Sequence, residues 1–92
     1  MIKSFNCKET EKIYNGERSK KLPGDIQDSA RRRLKYLNNA VNMEDLRIPP
    51  SNHFEALHGN YEGFFSIRIN NQWRIVFNWS DGAANVRIED YH

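Results

Sequence analysis

Between residues 65 and 89, apolar side chains alternate with polar ones, which is the period of a β-strand with one buried face. The alternation is interrupted at residues 70–72 and 80–82, and Asp81-Gly82 is typical of a two-residue hairpin turn. Connections this short join antiparallel neighbours. The pattern predicts three consecutive antiparallel strands with one apolar face, to which the last strand contributes Ala84, Val86 and Ile88.

The layer that covers this face is predicted over residues 25–40, where the apolar residues change to the helical period. Five of them form a single stripe at spacings of four, four, three and four: Ile26, Ala30, Leu34, Leu37 and Val41. Asp25 is expected to cap the N-terminus of this helix, because a carboxylate there accepts hydrogen bonds from the first free backbone N–H groups.

The remaining segments complete a βααβββ order. Residues 1–5 predict a short strand, and residues 8–15 predict a short helix that Asn15-Gly16 ends. Residues 42–62 are expected to be irregular because Pro49-Pro50 fits neither a helix interior nor a central strand. We therefore expect an α+β fold with two layers, built as one domain over residues 1–92.

Composition excludes several classes of protein. The aromatic content of 12% and the net charge of +2 are unlike those of a disordered chain. The single cysteine, Cys7, excludes an intramolecular disulfide framework and a multi-cysteine zinc site. No apolar stretch approaches the ~18 residues of a membrane span and no secretion signal is recognised, so a cytoplasmic protein without membrane contacts is expected.

The polar face of the predicted sheet carries three arginines among small polar residues: Ser66, Arg68, Arg74, Asn78, Asn85 and Arg87. A guanidinium group is permanently charged and pairs with two phosphoryl oxygens at once, so this set is suited to binding phosphate. The alternative is structural, because Glu89 and Asp90 are close enough in sequence to form cross-strand ion pairs with the arginines.

The chain also carries acid–base groups, namely Tyr91 and the histidines His53, His58 and His92. The spacing of the histidines matches no metal-ligand pattern, so a metal is not expected. No other cofactor is expected either, because a core of this size can barely spare the volume that a haem or a flavin needs. Cleaving RNA without a metal requires a base for the 2′-hydroxyl, a cation for the charged phosphorane and an acid for the 5′-oxygen. Histidine, tyrosine and arginine supply these roles, and the set is compatible with RNA cleavage.

Basic residues are concentrated in the first half of the chain, where residues 1–48 hold eleven Lys and Arg against seven Asp and Glu. Arg31, Arg32 and Lys35 are predicted on the solvent side of the second helix, with Arg33 flanking its apolar stripe. A basic surface has affinity for RNA. The alternative is an ordinary solvated helix face.

Three stretches are distinctive in combination: Leu57-His58-Gly59-Asn60, the run Gly-Phe-Phe-Ser-Ile-Arg-Ile-Asn-Asn-Gln-Trp-Arg-Ile over residues 63–75, and Glu89-Asp90-Tyr91-His92. With Met1-Ile2-Lys3-Ser4-Phe5, they resemble HigB-type toxins of the RelE/ParE superfamily of bacterial toxin–antitoxin systems. The resemblance runs over essentially the whole chain.

This resemblance implies a RelE-like toxin that cleaves mRNA in the ribosomal decoding site without a metal, inhibiting translation. It implies neutralisation by a HigA-like helix-turn-helix antitoxin, and operator DNA is bound only through the complex of the two. By matching positions the catalytic cluster is Arg74, Asp90, Tyr91 and His92, with His58 beside it. The expected substrate-binding residues are Arg68, His53, Asn71, Lys20, Lys21, Arg31, Arg32, Arg33 and Lys35.

His58 departs from the family pattern, which has lysine at this position. Lysine is charged throughout the neutral range, whereas histidine is only partly charged at pH 7. Two outcomes of this exchange stay open: His58 acts as a weaker cation or an additional acid–base group, or the toxin is attenuated and acts mainly as an antitoxin-binding and autoregulatory partner. A further alternative, which comes from the superfamily and not from His58, is a gyrase poison of the ParE type, which needs no acid–base cluster.

Overall fold

The computed structural model describes residues 1–91 and has two helices packed against one face of an antiparallel sheet. The sheet order is β1-β2-β3-β4. The elements are α1 (Lys8–Tyr14), α2 (Gln27–Asn39), β1 (Glu55–Ala56), β2 (Phe65–Arg68), β3 (Trp73–Trp79) and β4 (Ala83–Asp90). The expected α+β class and both predicted turns of the meander are confirmed.

The helix α2 buries most of its predicted stripe. Ile26, Ala30, Leu34 and Leu37 are at most 3% exposed and form the core with the inner face of the sheet. Val41 is 83% exposed, so its prediction as a core residue is wrong. The helix ends at Asn39, and the extended backbone of Ala40 turns the following chain away.

The start of α2 also differs from the prediction, because Asp25 is not its N-cap. Asp25 lies inside a 3₁₀ turn, Gly24–Ile26, and Ile26 occupies the N-cap position without a capping side chain. Gln27 is buried there, and its side-chain amide donates to the carbonyls of Ser19 and Leu22 at 2.8 and 3.0 Å. This contact ties the linker between the helices to the first turn of α2.

The last strand contains a bulge that the alternation did not reveal. Val76 pairs with Arg87 and Asn78 pairs with Ala84, so Asn85 and Val86 together lie opposite Phe77. Asn85 has a positive φ of 53°. A residue in a β-bulge can adopt this left-handed conformation. The extra residue shifts the alternation by one, so the core receives Ala83 rather than the predicted Ala84.

Two peripheral segments also differ from the predicted order. The N-terminal segment is extended but forms only a single parallel bridge, Phe5 with Val86, along the edge of β4. A short strand, β1, occurs inside the region predicted to be irregular and pairs Glu55 with Ser66. Gly82 allows the N-terminal segment to approach closely, since a Cβ there would lie 2.6 Å from the carbonyl oxygen of Met1.

A hydrogen bond joins α1 to the linker that follows it. The Ser19 hydroxyl donates to Glu9 Oε1 at 2.6 Å, and Lys12 lies 3.7 Å from the same carboxylate. The Ser19 hydrogen bond lowers the pKa of Glu9 below its ordinary value of 4.5, and the nearby lysines lower it further. A lowered carboxyl pKa stabilises the fold at neutral pH.

Candidate active site

The outer face of the sheet, which the helices leave uncovered, carries a row of charged residues on neighbouring strands. Arg68 on β2 lies directly opposite Arg74 on β3, and Arg74 lies directly opposite Glu89 on β4. Residues that are directly opposite in an antiparallel pair project from the same face. The pairing therefore gathers two guanidinium groups and a carboxylate side by side, as the sequence predicted for the arginines.

Arg74 is the most tightly held member of this row, with a side chain 13% exposed. Its Nη1 donates to Ser66 Oγ at 2.5 Å and to the His53 carbonyl at 3.4 Å, while its Nη2 lies 2.9 Å from Glu55 Oε1. Ser66 is fully buried. Because hydrogen bonds fix the plane of the guanidinium, Arg74 is oriented before any ligand arrives.

Arg68 is held by the turn between β2 and β3. Its Nε donates to the carbonyl of Asn70 at 3.1 Å, and its Nη2 donates to the side-chain oxygen of Asn71. Asn71, predicted to bind substrate, is thus brought against Arg68. The Asn70 side chain accepts from the backbone of Gln72 and Trp73 at 2.8 Å each, which fixes this turn.

Tyr91 continues the outer face beyond the end of β4. Its backbone N–H donates to the carbonyl of Gln72 at 3.1 Å, and its ring meets the edge of the Tyr61 ring at a centroid distance of 5.5 Å. The Tyr61 hydroxyl donates to Glu89 Oε1 at 3.4 Å. Tyr91 lies on the diagonal from Arg74, a separation of roughly 7–8 Å that long side chains span. His92 lies outside the described residues.

Asp90 occupies the other side of the sheet. It pairs directly with Trp73, whose side chain packs against the core, so Asp90 and Arg74 project from opposite faces. Gln72 Nε2 donates to Asp90 Oδ2 at 2.9 Å. By this register Tyr91 shares the outer face with Arg74, whereas Asp90 projects from the opposite face.

The two described histidines occupy different positions in the β1 region. The His58 side chain is 85% exposed, and its Nδ1 lies 3.9 Å from a carboxylate oxygen of Glu62. It precedes the 3₁₀ turn Gly59–Tyr61, which carries Tyr61 to the outer face. His53 is exposed and has a left-handed backbone, and its carbonyl rather than its imidazole meets Arg74. Within residues 1–91, no three histidine, cysteine, aspartate or glutamate side chains are grouped to hold a metal.

The predicted basic surface divides into exposed and internally bound residues. Lys20, Lys21, Arg32 and Lys35 are exposed. The prediction that Arg31 lies on the solvent side is wrong, because its Nε donates to the Ile13 carbonyl at 2.7 Å and its side chain is 22% exposed. Arg33 donates to Asn52 Oδ1 at 2.5 Å.

Three residues of this site were not identified as functional candidates from the sequence. Glu55 and Tyr61 come from a segment with no regular period, so no pattern predicted which way their side chains project. Glu89 was recognised only as an ion-pair partner, and its Oε2 does lie 3.4 Å from Arg87 Nε. The Cζ of the same guanidinium lies 4.9 Å from the centroid of the Phe64 ring. Among residues 1–91, Glu89 Oε2 is the only buried side-chain polar atom without a hydrogen bond.

The fold, two helices on one face of an antiparallel sheet, is consistent with the class of small RelE-like toxins, and comparison with known proteins supports this assignment. The family model described as the RelE-like toxin of type II toxin–antitoxin system HigB matches residues 3–92. The chain therefore belongs to the HigB-like family of type II toxins. Within the described residues, no helix is long and apolar enough to cross a membrane.

Individual relatives agree with this family. Toxin HigB-1 of Vibrio cholerae serotype O1 is 42% identical over 93 residues, covering 100% of this chain and 98% of its own length. Endoribonuclease HigB of Proteus vulgaris is 30% identical over 93 residues and covers both chains completely. An uncharacterized protein of Haemophilus influenzae is 31% identical over 77 residues, covering 84% of this chain and 76% of its own.

Proposed function

We propose that this toxin is an endoribonuclease that cleaves mRNA in the decoding site of the ribosome and thereby stops translation. One observation carries the proposal: Arg68 and Arg74 lie directly opposite each other. Glu55 and Glu89 already neighbour Arg74, and the two guanidinium groups lie side by side on a face that the helices leave uncovered. Paired guanidinium groups of this kind are suited to the oxygens of an RNA phosphate. The relative named Endoribonuclease HigB supports the same activity.

In the proposed reaction, the 2′-hydroxyl attacks the neighbouring phosphorus after losing its proton to a base. The 2′-oxygen–phosphorus bond forms, the bond from phosphorus to the 5′-oxygen breaks, and an acid protonates that leaving oxygen. Arg74 and Arg68 stabilise the negative charge that grows on the phosphoryl oxygens. Because Ser66 and Glu55 already orient Arg74, little reorganisation accompanies the reaction.

Tyr91 and His92 are proposed as the residues that move the two protons. The position of Tyr91 on the outer face, diagonal to Arg74, supports its part, while that of His92 rests on the resemblance. The same resemblance adds Asp90 and His58 to the catalytic cluster and His53 and Asn71 to the substrate contacts. The proposed reaction uses no metal or other cofactor.

The exposed bases give the proposed toxin its affinity for the ribosome. Lys20, Lys21, Arg32 and Lys35 are free to approach ribosomal RNA phosphates, and such contacts dominate the affinity of proteins for nucleic acids. Membership of a type II toxin family implies an antitoxin partner. We propose a HigA-like helix-turn-helix protein that neutralises the toxin in the cytoplasm and carries it to operator DNA.

The decisive experiment compares the wild-type protein with His92→Ala on a defined mRNA. Each protein is incubated with the mRNA alone and with the same mRNA on programmed ribosomes, and primer extension maps the cut sites. Cleavage that requires ribosomes and is lost in His92→Ala supports both the activity and the assignment of His92.

Other outcomes separate the alternatives. Cleavage of free mRNA at the same rate would contradict ribosome dependence. If the wild-type protein cuts nothing, DNA double-strand breaks on expression would identify a gyrase poison. If neither cleavage nor DNA damage occurs, the result favours an attenuated, antitoxin-binding protein, and His58→Lys is then the first variant to test for restored cleavage.

A further inference from the structure

Two adjacent arginines of α2 differ in their surroundings. Arg32 is exposed to solvent, whereas the guanidinium of Arg33 is held against the 3₁₀ turn Pro50–Asn52. Arg33 Nη1 donates to Asn52 Oδ1 at 2.5 Å, and Arg33 Nη2 donates to Ser51 Oγ at 3.3 Å. Arg33 is therefore anchored to this turn through both of its Nη groups.

Asn52, the acceptor, is fully buried and uses both ends of its side-chain amide. Its Oδ1 accepts from Arg33, and its Nδ2 donates to the carbonyls of Leu46 and Ile48 at 3.1 and 3.4 Å. A buried amide whose groups are all hydrogen-bonded fixes the backbone around it, because each lost partner would leave a polar group unsatisfied.

The residue after Asn52 leads directly to the candidate active site. His53 has φ 44° and ψ 54°, in the left-handed region that residues other than glycine occupy when their surroundings hold them there. In this conformation the His53 carbonyl accepts from Arg74 Nη1 at 3.4 Å. A continuous set of contacts thus runs from Arg33 through Asn52 and His53 to Arg74.

We propose that Arg33 and Asn52 are positioning residues that hold the Pro50–Asn52 turn and thereby set the orientation of His53 and Arg74. Arg33 then contributes to turnover by fixing this turn and not by binding RNA, in contrast to Arg32. This inference rests on the proposed endoribonuclease activity. It replaces the expectation that all three arginines at positions 31–33 contact RNA.

Salt dependence distinguishes the two roles. Each phosphate contact made by a basic residue adds roughly 0.7–0.9 to the slope of the logarithm of affinity against the logarithm of salt concentration. An arginine already bound within the protein adds nothing to that slope. The test compares Arg33→Gln with Arg32→Gln, its matched neighbour, measuring kcat and KM for mRNA cleavage on programmed ribosomes and the salt slope of ribosome binding.

For Arg33→Gln we expect kcat to fall by about tenfold or more, because small misplacements of a catalytic group are costly, with KM and the salt slope unchanged. For Arg32→Gln we expect a higher KM and a salt slope reduced by about one contact, with kcat retained. If Arg33→Gln raises KM and reduces the slope as Arg32→Gln does, the inference is overturned.

Circular dichroism and thermal unfolding establish whether each variant is folded at the assay temperature. If Arg33→Gln is not folded, Arg33→Lys decides the question, because it keeps the charge but its single ammonium cannot replace the fork between Ser51 and Asn52. A positioning role predicts a lower kcat for Arg33→Lys, and an RNA contact predicts near wild-type kinetics. A wild-type protein that cleaves no RNA would contradict the proposed function itself, which is a separate outcome.

Discussion

The inner and outer faces of the sheet are made by the same strands but are stabilised differently. Ile67, Ile75 and Phe77 project inward and are fully buried beneath the helices. Arg74 projects outward from the position before Ile75, its side chain is 13% exposed, and its contacts are an ion pair and two hydrogen bonds. Apolar packing is non-directional and tolerates many partners, whereas the contacts of Arg74 require particular atoms at particular angles.

This difference leads to a general expectation for the molecule. Changes on the inner face lower the free energy of unfolding, because they create cavities. Changes on the outer face lower activity, because they alter groups that would meet the RNA, and they affect stability less. The following predictions test this separation, beginning with the largest expected effect.

The strongest test of the inner face is Phe77→Ala. Removing a fully buried aromatic side chain is expected to lower the free energy of unfolding by about 3–5 kcal/mol. The outer-face control is Asn78→Ala, which loses hydrogen bonds to Gly63 and Asn85 and is expected to cost about 1 kcal/mol. Urea unfolding measures both. Equal losses in the two variants would contradict the separation of the faces.

The strongest test of the outer face is Arg74→Lys. Lysine keeps the charge but cannot hold Ser66, Glu55 and a phosphate together, so cleavage on programmed ribosomes is expected to fall by about 10²-fold. The control is Arg87→Lys on the same face, where the guanidinium is occupied by Glu89 and Phe64. If Arg87→Lys loses as much cleavage activity as Arg74→Lys, cleavage does not depend on Arg74 more than on another arginine of the same face.

A smaller effect is expected from His58→Lys, at the residue before the Gly59–Tyr61 turn. The lysine side chain is a permanent cation in the neutral range, so this variant is expected to raise cleavage on programmed ribosomes severalfold at pH 7. Equal cleavage rates for the two proteins would remove His58 from the mechanism.

The smallest expected effect lies in the helical layer and concerns stability alone. The pKa of Glu9 is lowered in the folded state, so its stabilisation is present above pH 4.5 and is lost as the pH falls through the folded-state pKa. Glu9→Gln keeps an acceptor for Ser19 but cannot titrate. Its unfolding midpoint should therefore depend less on pH between 5 and 3, a range chosen to span the ordinary carboxyl values.

The exposed Glu11 on the same helix provides the control for this measurement. Glu11→Gln is expected to leave the acid dependence of unfolding as it is in the wild-type protein. Neither glutamate variant should change cleavage at neutral pH. A change in cleavage caused by Glu9→Gln would show that the helical layer affects the outer face more strongly than these contacts indicate.

The main layers of the fold follow from two periods in the amino-acid sequence. The helical spacing of Ala30, Leu34 and Leu37 and the alternation along β2 and β3 each require one buried face, and hydrophobic burial makes that face the core. The short turns at residues 70–72 and 80–82 then make consecutive strands antiparallel neighbours. The same alternation brought Arg68 and Arg74 to one outer surface, since side-chain direction along a strand follows directly from position.

The polar partners of those arginines, in contrast, depend on how the folded chain brings distant segments together. Glu55 and Tyr61 lie in a segment whose sequence has no regular period, and they reach Arg74 and Tyr91 because the short strand β1 and the Gly59–Tyr61 turn place them there. The bulge at Asn85 and the inward binding of Arg31 and Arg33 likewise depend on backbone groups far away in sequence. Hydrogen bonds are directional and short, so they are established only when the whole chain has brought donor and acceptor together.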